Sequence, residues 1–169
     1  AASAFRDRVT PSQPGDVVGA NEIHGLIAHR YPFLLVDRIT IAEPGRVVIG
    51  EKRITGGEWA SGAPAHRAGG VQLGTARGVS GLLVVAALAQ ARAALMRDLV
   101  ASVPGAVGYF VGMERVRLRV PPRAGDLLRL EVRLGSFRRG IAKLDGRASV
   151  DGRPAASARF TTILRARTG

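Results

Sequence analysis

The amino-acid sequence predicts one α+β domain in which about six antiparallel strands surround one long buried helix. The run from Val79 to Ala91 is apolar on every helical face, and the chain after Tyr109 alternates charged with apolar residues. Short connections between these alternating segments favour antiparallel pairing. The 169 residues suit a single domain, for which we assign 1–20 as a flexible N-terminal segment and 21–169 as the folded part.

The first half of the chain predicts a short helix and a hairpin. Asn21 is expected to cap a helix over 21–27. Leu35 to Ala42 and Arg46 to Ile54 have the composition of two strands, and the Pro-Gly turn at 43–46 joins them. The glycine-rich stretch from Thr55 to Val79 has no periodicity and predicts a long loop, which in a compact domain is usually functional or mobile.

The central helix is predicted from Val79 to about Leu99, with Ser80 as its N-cap and Pro104-Gly105 as its exit. Because apolar residues occupy every face through Ala91, we expect protein on all sides of this part. No side chain in that apolar part can move a proton.

Four further strands are predicted in the second half. Met113 to Pro121 is expected to be half-buried, with one face exposed to solvent. Leu127 to Leu134, Ile141 to Val150 and Ala155 to Leu164 follow it, and Asp151-Gly152 is a strong hairpin signal between the last two. Such a sheet has free edges, and pairing two chains edge to edge would cover them.

Composition limits the function classes. The net charge of +12 comes almost entirely from arginine, which indicates either an anionic partner or a biased solvated surface. Nucleic acid is disfavoured because no basic run contains interleaved aromatic residues. The absence of cysteine excludes a thiol nucleophile, and three dispersed histidines have no metal-ligand spacing, so we expect no metal and no cofactor. Neither a signal-peptide pattern nor a membrane-length apolar run is visible, so we expect a cytoplasmic protein without membrane contact.

Three blocks of sequence identify a family resemblance. Residues 29–38 read HRYPFLLVDR and, with Glu43-Pro44-Gly45, closely resemble the opening of β-hydroxyacyl-acyl-carrier-protein dehydratases. The helix block Gly81 to Gln90 resembles their central helix, and Tyr109 to Met113 with Arg138 to Ile141 resembles their second half. The resemblance implies a hotdog fold, in which a curved antiparallel sheet wraps a long helix and two chains pair.

The same resemblance implies a dehydration of 3-hydroxyacyl thioesters carried by acyl carrier protein. In that family a histidine removes the α-proton, a helix carboxylate protonates the leaving hydroxyl, and a backbone N–H holds the thioester carbonyl. Aligned from the helix, the carboxylate position is Ala86 and the histidine position is Gln72. The backbone donor is retained as Gly81.

A second alignment of the long loop offers a displaced base. His66-Arg67-Ala68-Gly69 has a His-x-x-Gly skeleton, so His66 is either the catalytic histidine or a solvated loop residue. Both alternatives stay open here, and even with His66 the acid is missing.

Candidate binding residues come from the resembled motifs. Arg138 and Arg139 sit at a turn and Arg165 follows the last strand, so they are candidates for docking an acidic carrier protein or its phosphate. The aromatic candidates for contacts with substrate or carrier are Tyr31, Phe33, Tyr109 and Phe110.

Three functions compete on this sequence. The favoured hypothesis is a non-catalytic or half-equipped subunit, a pseudoenzyme that forms a heterodimer with an active dehydratase paralogue in fatty-acid or polyketide biosynthesis. The second is an active (3R)-hydroxyacyl-carrier-protein dehydratase that uses His66. The third is a non-enzymatic acyl-thioester binding module.

Overall fold

The structure, a computed structural model, describes residues 12–55, 78–102 and 106–166, together with the backbone of 67–68, 71–72 and 74–75. Two helices are present in these residues, α1 (Ala20–Leu26) and α2 (Gly81–Ala101). The strands in chain order are β1 (Val17–Val18), β2 (Arg38–Glu43), β3 (Val47–Arg53), β4 (Arg67–Ala68), β5 (Val71–Gln72), β6 (Gly74–Thr75), β7 (Gly78–Val79), β8 (Ala106–Leu118), β9 (Leu127–Arg138), β10 (Ile141–Val150) and β11 (Arg153–Ala166).

Seven strands form one antiparallel sheet in the order β1-β2-β3-β9-β10-β11-β8. Helix α2 packs against β2, β3 and β8 to β11 on one face of this sheet. The predicted α+β architecture with one long helix is therefore confirmed. The two-residue strand β1, which pairs with β2, was not predicted.

Small residues allow α2 to lie close to the sheet. A Cβ on Gly50 of β3 would lie 3.0 Å from the Cβ of Ala91 and 3.2 Å from that of Leu130. Leu88, Ala91 and Leu95 have no exposed surface, as expected for a helix covered by protein. The apolar run of the sequence is thus the centre of the core, and Ser80 is its N-cap as predicted.

Local corrections concern the first helix and the long loop. Helix α1 has Gly19 rather than Asn21 as N-cap, and the Gly19 N–H donates to Glu22 Oε2 at 2.9 Å. The predicted loop contains two small hairpins, β4 with β5 and β6 with β7. They have two residues a strand, which is too short to produce a periodicity in sequence.

Strand β8 is more exposed than the half-buried strand that the sequence predicts. Tyr109, Val111, Met113 and Leu118 are 55, 57, 46 and 49% exposed. The reason is its place at the end of the sheet, where β11 is its one neighbouring strand among the described residues. An alternating sequence cannot distinguish a central strand from an edge strand.

Part of the N-terminal segment is tied to the helix. The Ser12 hydroxyl donates to Asp98 Oδ1 at 2.7 Å, and the Gly45 N–H donates to Oδ2 of the same carboxylate at 3.1 Å. This links the segment, the β2–β3 turn and the end of α2. The division into 1–20 and 21–169 stays a prediction. None of the described helices combines the length and apolarity needed to span a membrane.

Candidate active site on the open face of α2

One stripe of α2 is left uncovered by the sheet. Leu82, Ala86, Ala89 and Ala93 recur at the i, i+4, i+7, i+11 spacing of one helix face; Leu82 is exposed and the three alanines are partly buried. Leu82 is 69% exposed. Ala86, the position predicted for the catalytic carboxylate, therefore lies where a side chain could meet a ligand or a second chain, and it brings only a methyl group.

The start of α2 retains a backbone donor. Ser80 caps it by accepting from the Leu82 N–H at 3.3 Å, while the Ser80 carbonyl accepts from Leu83 N–H at 3.0 Å. No partner for the Gly81 N–H is found within the described part of the chain, as is usual for the first turn of a helix. A Cβ on Gly81 would lie 2.9 Å from Leu118 Cδ2, so the end of β8 packs against this turn.

The segment before α2 is anchored but only partly described. The Val79 N–H donates to the Pro122 carbonyl at 2.8 Å, and a Cβ on Gly78 would lie 2.2 Å from the same oxygen. Gln72 pairs with Arg67 in the β4–β5 hairpin, where the structure describes the backbone alone. His66 directly precedes that hairpin and lies outside the described residues.

Two predicted aromatic residues lie on the loop between α1 and β2. Tyr31 is 92% and Phe33 52% exposed. The buried Gln90 of α2 holds this loop, because its Nε2 donates to the Phe33 carbonyl at 2.6 Å and its Oε1 accepts from the Leu35 N–H at 2.8 Å. The sequence analysis did not assign Gln90 a role, although it closes the helix block of the resemblance.

The other two aromatic residues lie side by side on β8 and face opposite sides of the sheet. Phe110 is in register with the buried Thr162, and its ring lies 6.4 Å from that of Phe160 in the core. Tyr109 is in register with Ile163 on the outer side. The pair therefore does not form one common surface.

Two of the predicted arginines meet on the outer surface. Arg139 and Arg165 line an open depression of about 430 Å³ together with Ile141, Ile163 and Leu164. Arg139 and Gly140 form a two-residue turn with φ values of 49 and 76°, and the Gly140 carbonyl accepts from the Leu164 N–H at 2.7 Å. That bond holds the turn against β11. Arg138, one residue earlier, is exposed.

Arg92 is a further charged residue that the sequence analysis did not select. Burial lowers the pKa of its guanidinium. A helix position next to apolar residues gave no reason to expect a partly buried charge there.

The described residues contain no group of three or more His, Asp or Glu side chains that could hold a metal ion. The groups of the described residues that could contact a ligand are therefore those of the helix start, the partly exposed alanine stripe and the arginines.

Named relatives align with most of this chain. It is 42% identical over 138 residues to a 3-hydroxyacyl-[acyl-carrier-protein] dehydratase FabZ of Roseiflexus castenholzii, covering 80% of this chain and 89% of the relative. The protein of the same name from Syntrophotalea carbinolica is 35% identical over 149 residues, covering 87% and 95%. The chain matches no family model.

Solved structures share the fold. The dehydratase heterocomplex ApeI:P from Xenorhabdus doucetiae aligns with a TM-score of 0.61 at 17% identity, covering 95% of this chain and 94% of that one. A hypothetical thioesterase with coenzyme A from Streptococcus pneumoniae aligns with a TM-score of 0.54 at 12% identity, covering 74% and 83%. The sheet, the helix and these relatives together show that the chain has the hotdog fold and belongs to the FabZ family of 3-hydroxyacyl-acyl-carrier-protein dehydratases.

Proposed function

We propose that this chain is a half-equipped subunit that binds 3-hydroxyacyl thioesters on acyl carrier protein and pairs with a catalytic dehydratase of its family, in fatty-acid or polyketide biosynthesis. The observation that carries the proposal is Ala86 on the open face of α2. Elimination of water needs a group that removes the α-proton and another that protonates the leaving hydroxyl. Ala86 can do neither.

The parts that bind rather than react are retained. The Gly81 N–H, for which the described residues provide no acceptor, lies at the start of α2, where a thioester carbonyl oxygen would need a donor. Gln90 still ties the Tyr31 and Phe33 loop to the helix. Such a chain would hold an acyl thioester without turning it over.

Strand β8 supports pairing with another chain. It is one of the two edge strands of the seven-stranded sheet in the described part of the chain, and seven large apolar residues along it are at least 37% exposed: Val107, Tyr109, Phe110, Val111, Met113, Val116 and Leu118. A free apolar edge of this length is commonly covered by another strand. One structural neighbour is itself described as a dehydratase heterocomplex, which supports a partner different from this chain.

The arginines favour an acidic carrier protein. Arg139 and Arg165 share one depression, and the chain as a whole has a net charge of +12. Positive charge at the rim of a binding surface accelerates encounter with a negative partner and orients it.

The test is a dehydratase assay with a 3-hydroxyacyl carrier-protein substrate. The chain alone should give no turnover above background. Mixed with the family member of the same organism that has both the histidine and the carboxylate, it should elute as a mixed complex with that activity. Turnover by the isolated chain that His66→Ala abolishes would overturn the proposal in favour of a displaced base. Binding of acyl carrier protein without any mixed complex would instead indicate a binding module.

A further inference from the structure

Three apolar side chains form a row across the outer face of the sheet. Tyr109 of β8 is in register with Ile163 of β11, which is itself in register with Ile141 of β10. The chain neighbours Ala142 and Leu164 are buried, so the two isoleucines face away from helix α2. Tyr109 is 55% and Ile141 40% exposed. Tyr109, Ile163 and Ile141 are called the apolar row below.

Exposed cations surround the apolar row. Arg138 is in register with Ile141, while Lys143 and Arg165 each lie two residues from an isoleucine of the row and so share its face. With Arg139 in the β9–β10 turn they form a basic rim of four residues: Arg138, Arg139, Lys143 and Arg165. The depression of about 430 Å³ lies within this arrangement, because both isoleucines, Arg139 and Arg165 line it.

The basic rim differs from the charged residues further along the same face. There, the Arg159 Nε donates to Asp145 at 2.8 Å and the Arg133 Nε donates to Glu131 at 2.7 Å. None of the ion pairs among the described residues includes a member of the basic rim. Within the described part of the chain, the rim is therefore a group of positive charges around an apolar centre.

The depression is formed without a bound partner. The Gly140 carbonyl accepts from the Leu164 N–H at 2.7 Å, which fixes the β9–β10 turn against β11. A Cβ on Gly140 would lie 2.8 Å from the Leu164 carbonyl oxygen, so the two strands meet closely at this point. A partner that binds here does not have to order the turn first, and a preformed surface of this kind lowers the entropic cost of association.

An apolar centre with a charged rim is the usual composition of a protein–protein contact, and tyrosine and arginine are common among the residues that contribute most to binding. From this arrangement we propose that the acyl carrier protein docks with an apolar side chain in the depression, against the apolar row, and with its carboxylates toward the basic rim. This inference rests on the carrier binding in the proposed function and adds the apolar anchor. The rim governs the rate of association, and the apolar row governs the rate of dissociation.

The binding kinetics of the acyl carrier protein of the same organism, followed by stopped-flow fluorescence of a dye on the carrier, test this division. Ile141→Thr and Ile163→Thr keep the branched Cβ that strands favour but lose apolar surface. We expect each to raise the dissociation rate constant by about threefold or more, and the double variant by about tenfold or more, with the association rate constant unchanged. Arg139→Gln should instead lower the association rate constant and weaken its dependence on salt.

Leu127→Thr is the matched control, because Leu127 is also 40% exposed but lies at the start of β9, outside the lining of the depression. It should leave both rate constants unchanged, and circular dichroism checks that every variant is folded. If folded Ile141→Thr and Ile163→Thr variants release the carrier as slowly as the unmodified chain, the inference is wrong and the proposed function stands. If the unmodified chain does not bind the carrier, the carrier binding in the proposed function fails and the inference fails with it.

Sedimentation equilibrium of the same variants distinguishes the carrier from a second copy of this chain. Unchanged self-association supports the carrier as the occupant of the depression. Weaker self-association together with unchanged carrier binding would assign the apolar row to a contact between copies and would overturn the inference.

Discussion

The Nε2 of Gln90 donates a hydrogen bond of 2.6 Å to the carbonyl oxygen of Phe33. This bond joins the middle of the core helix to a loop whose neighbouring Tyr31 is 92% exposed. The same amide accepts from the Leu35 N–H, so one side chain satisfies two backbone groups of the loop. Through the Gln90 side chain, helix α2 therefore helps to position the loop that contains Tyr31 and Phe33.

Gln90→Leu should lower the free energy of unfolding by about 2 to 3 kcal/mol, because a part-buried carbonyl and a part-buried N–H lose their partner. Urea denaturation followed by circular dichroism measures the change. Gln13→Leu, at an exposed glutamine, is the control and should change stability by less than about 0.5 kcal/mol. An equally stable Gln90→Leu protein would show that water replaces the amide at the loop.

Gly78→Ala should be one of the most destabilising glycine substitutions in the described chain. The added Cβ would lie 2.2 Å from the Pro122 carbonyl oxygen, and the φ of +134° already disfavours a side chain. We expect a loss of about 3 kcal/mol or more in thermal or urea unfolding.

Gly15→Ala is the matched control for that substitution. Gly15 also has a positive φ, +90°, but its Cβ would meet nothing within 4 Å. It should therefore show the backbone penalty alone, about 1 kcal/mol. Equal losses at the two positions would mean that the contact with Pro122 relaxes without cost.

Ser12 and Asp98 should be energetically coupled. The Ser12 hydroxyl donates to Asp98 Oδ1 at 2.7 Å, and Ser12 is only 6% exposed. In a double-mutant cycle of Ser12→Ala and Asp98→Ala, we expect a coupling energy of about 1 kcal/mol or more, measured by urea unfolding. Additive losses would show that residue 12 contributes nothing through this bond.

Charge reversal at the outer depression should weaken binding of an acidic acyl carrier protein. Arg139→Glu and Arg165→Glu, which alter the two arginines of that depression, should each raise the dissociation constant by about tenfold at low salt. Isothermal titration calorimetry at two salt concentrations measures this. Arg147→Glu, on β10 away from the depression, should have a much smaller effect. Three equal effects would indicate a response to net charge and not a docking position.

Much of the architecture follows from local pattern. Ser80 and the apolar run after it specify the start and burial of α2, and Asp151-Gly152 specifies a two-residue turn with φ values of 49 and 77°. The two-residue strands in 67–79 could not be predicted, because they are shorter than any hydrophobic period. Nor could β1, which exists only through its pairing with β2.

The candidate site likewise combines features that the sequence predicts with features that only the tertiary structure decides. The assignment of Ala86 to the carboxylate position, of Gln72 to the histidine position and of Gly81 to the backbone donor is a prediction from the sequence and its family motifs, because it depends on spacing along the chain. The place of β8 at the sheet edge and the contacts of Arg92 with Thr162 and Phe110 were decided by tertiary structure alone. They depend on the order of strands in the sheet and on contacts between residues far apart in the chain, which no local pattern encodes.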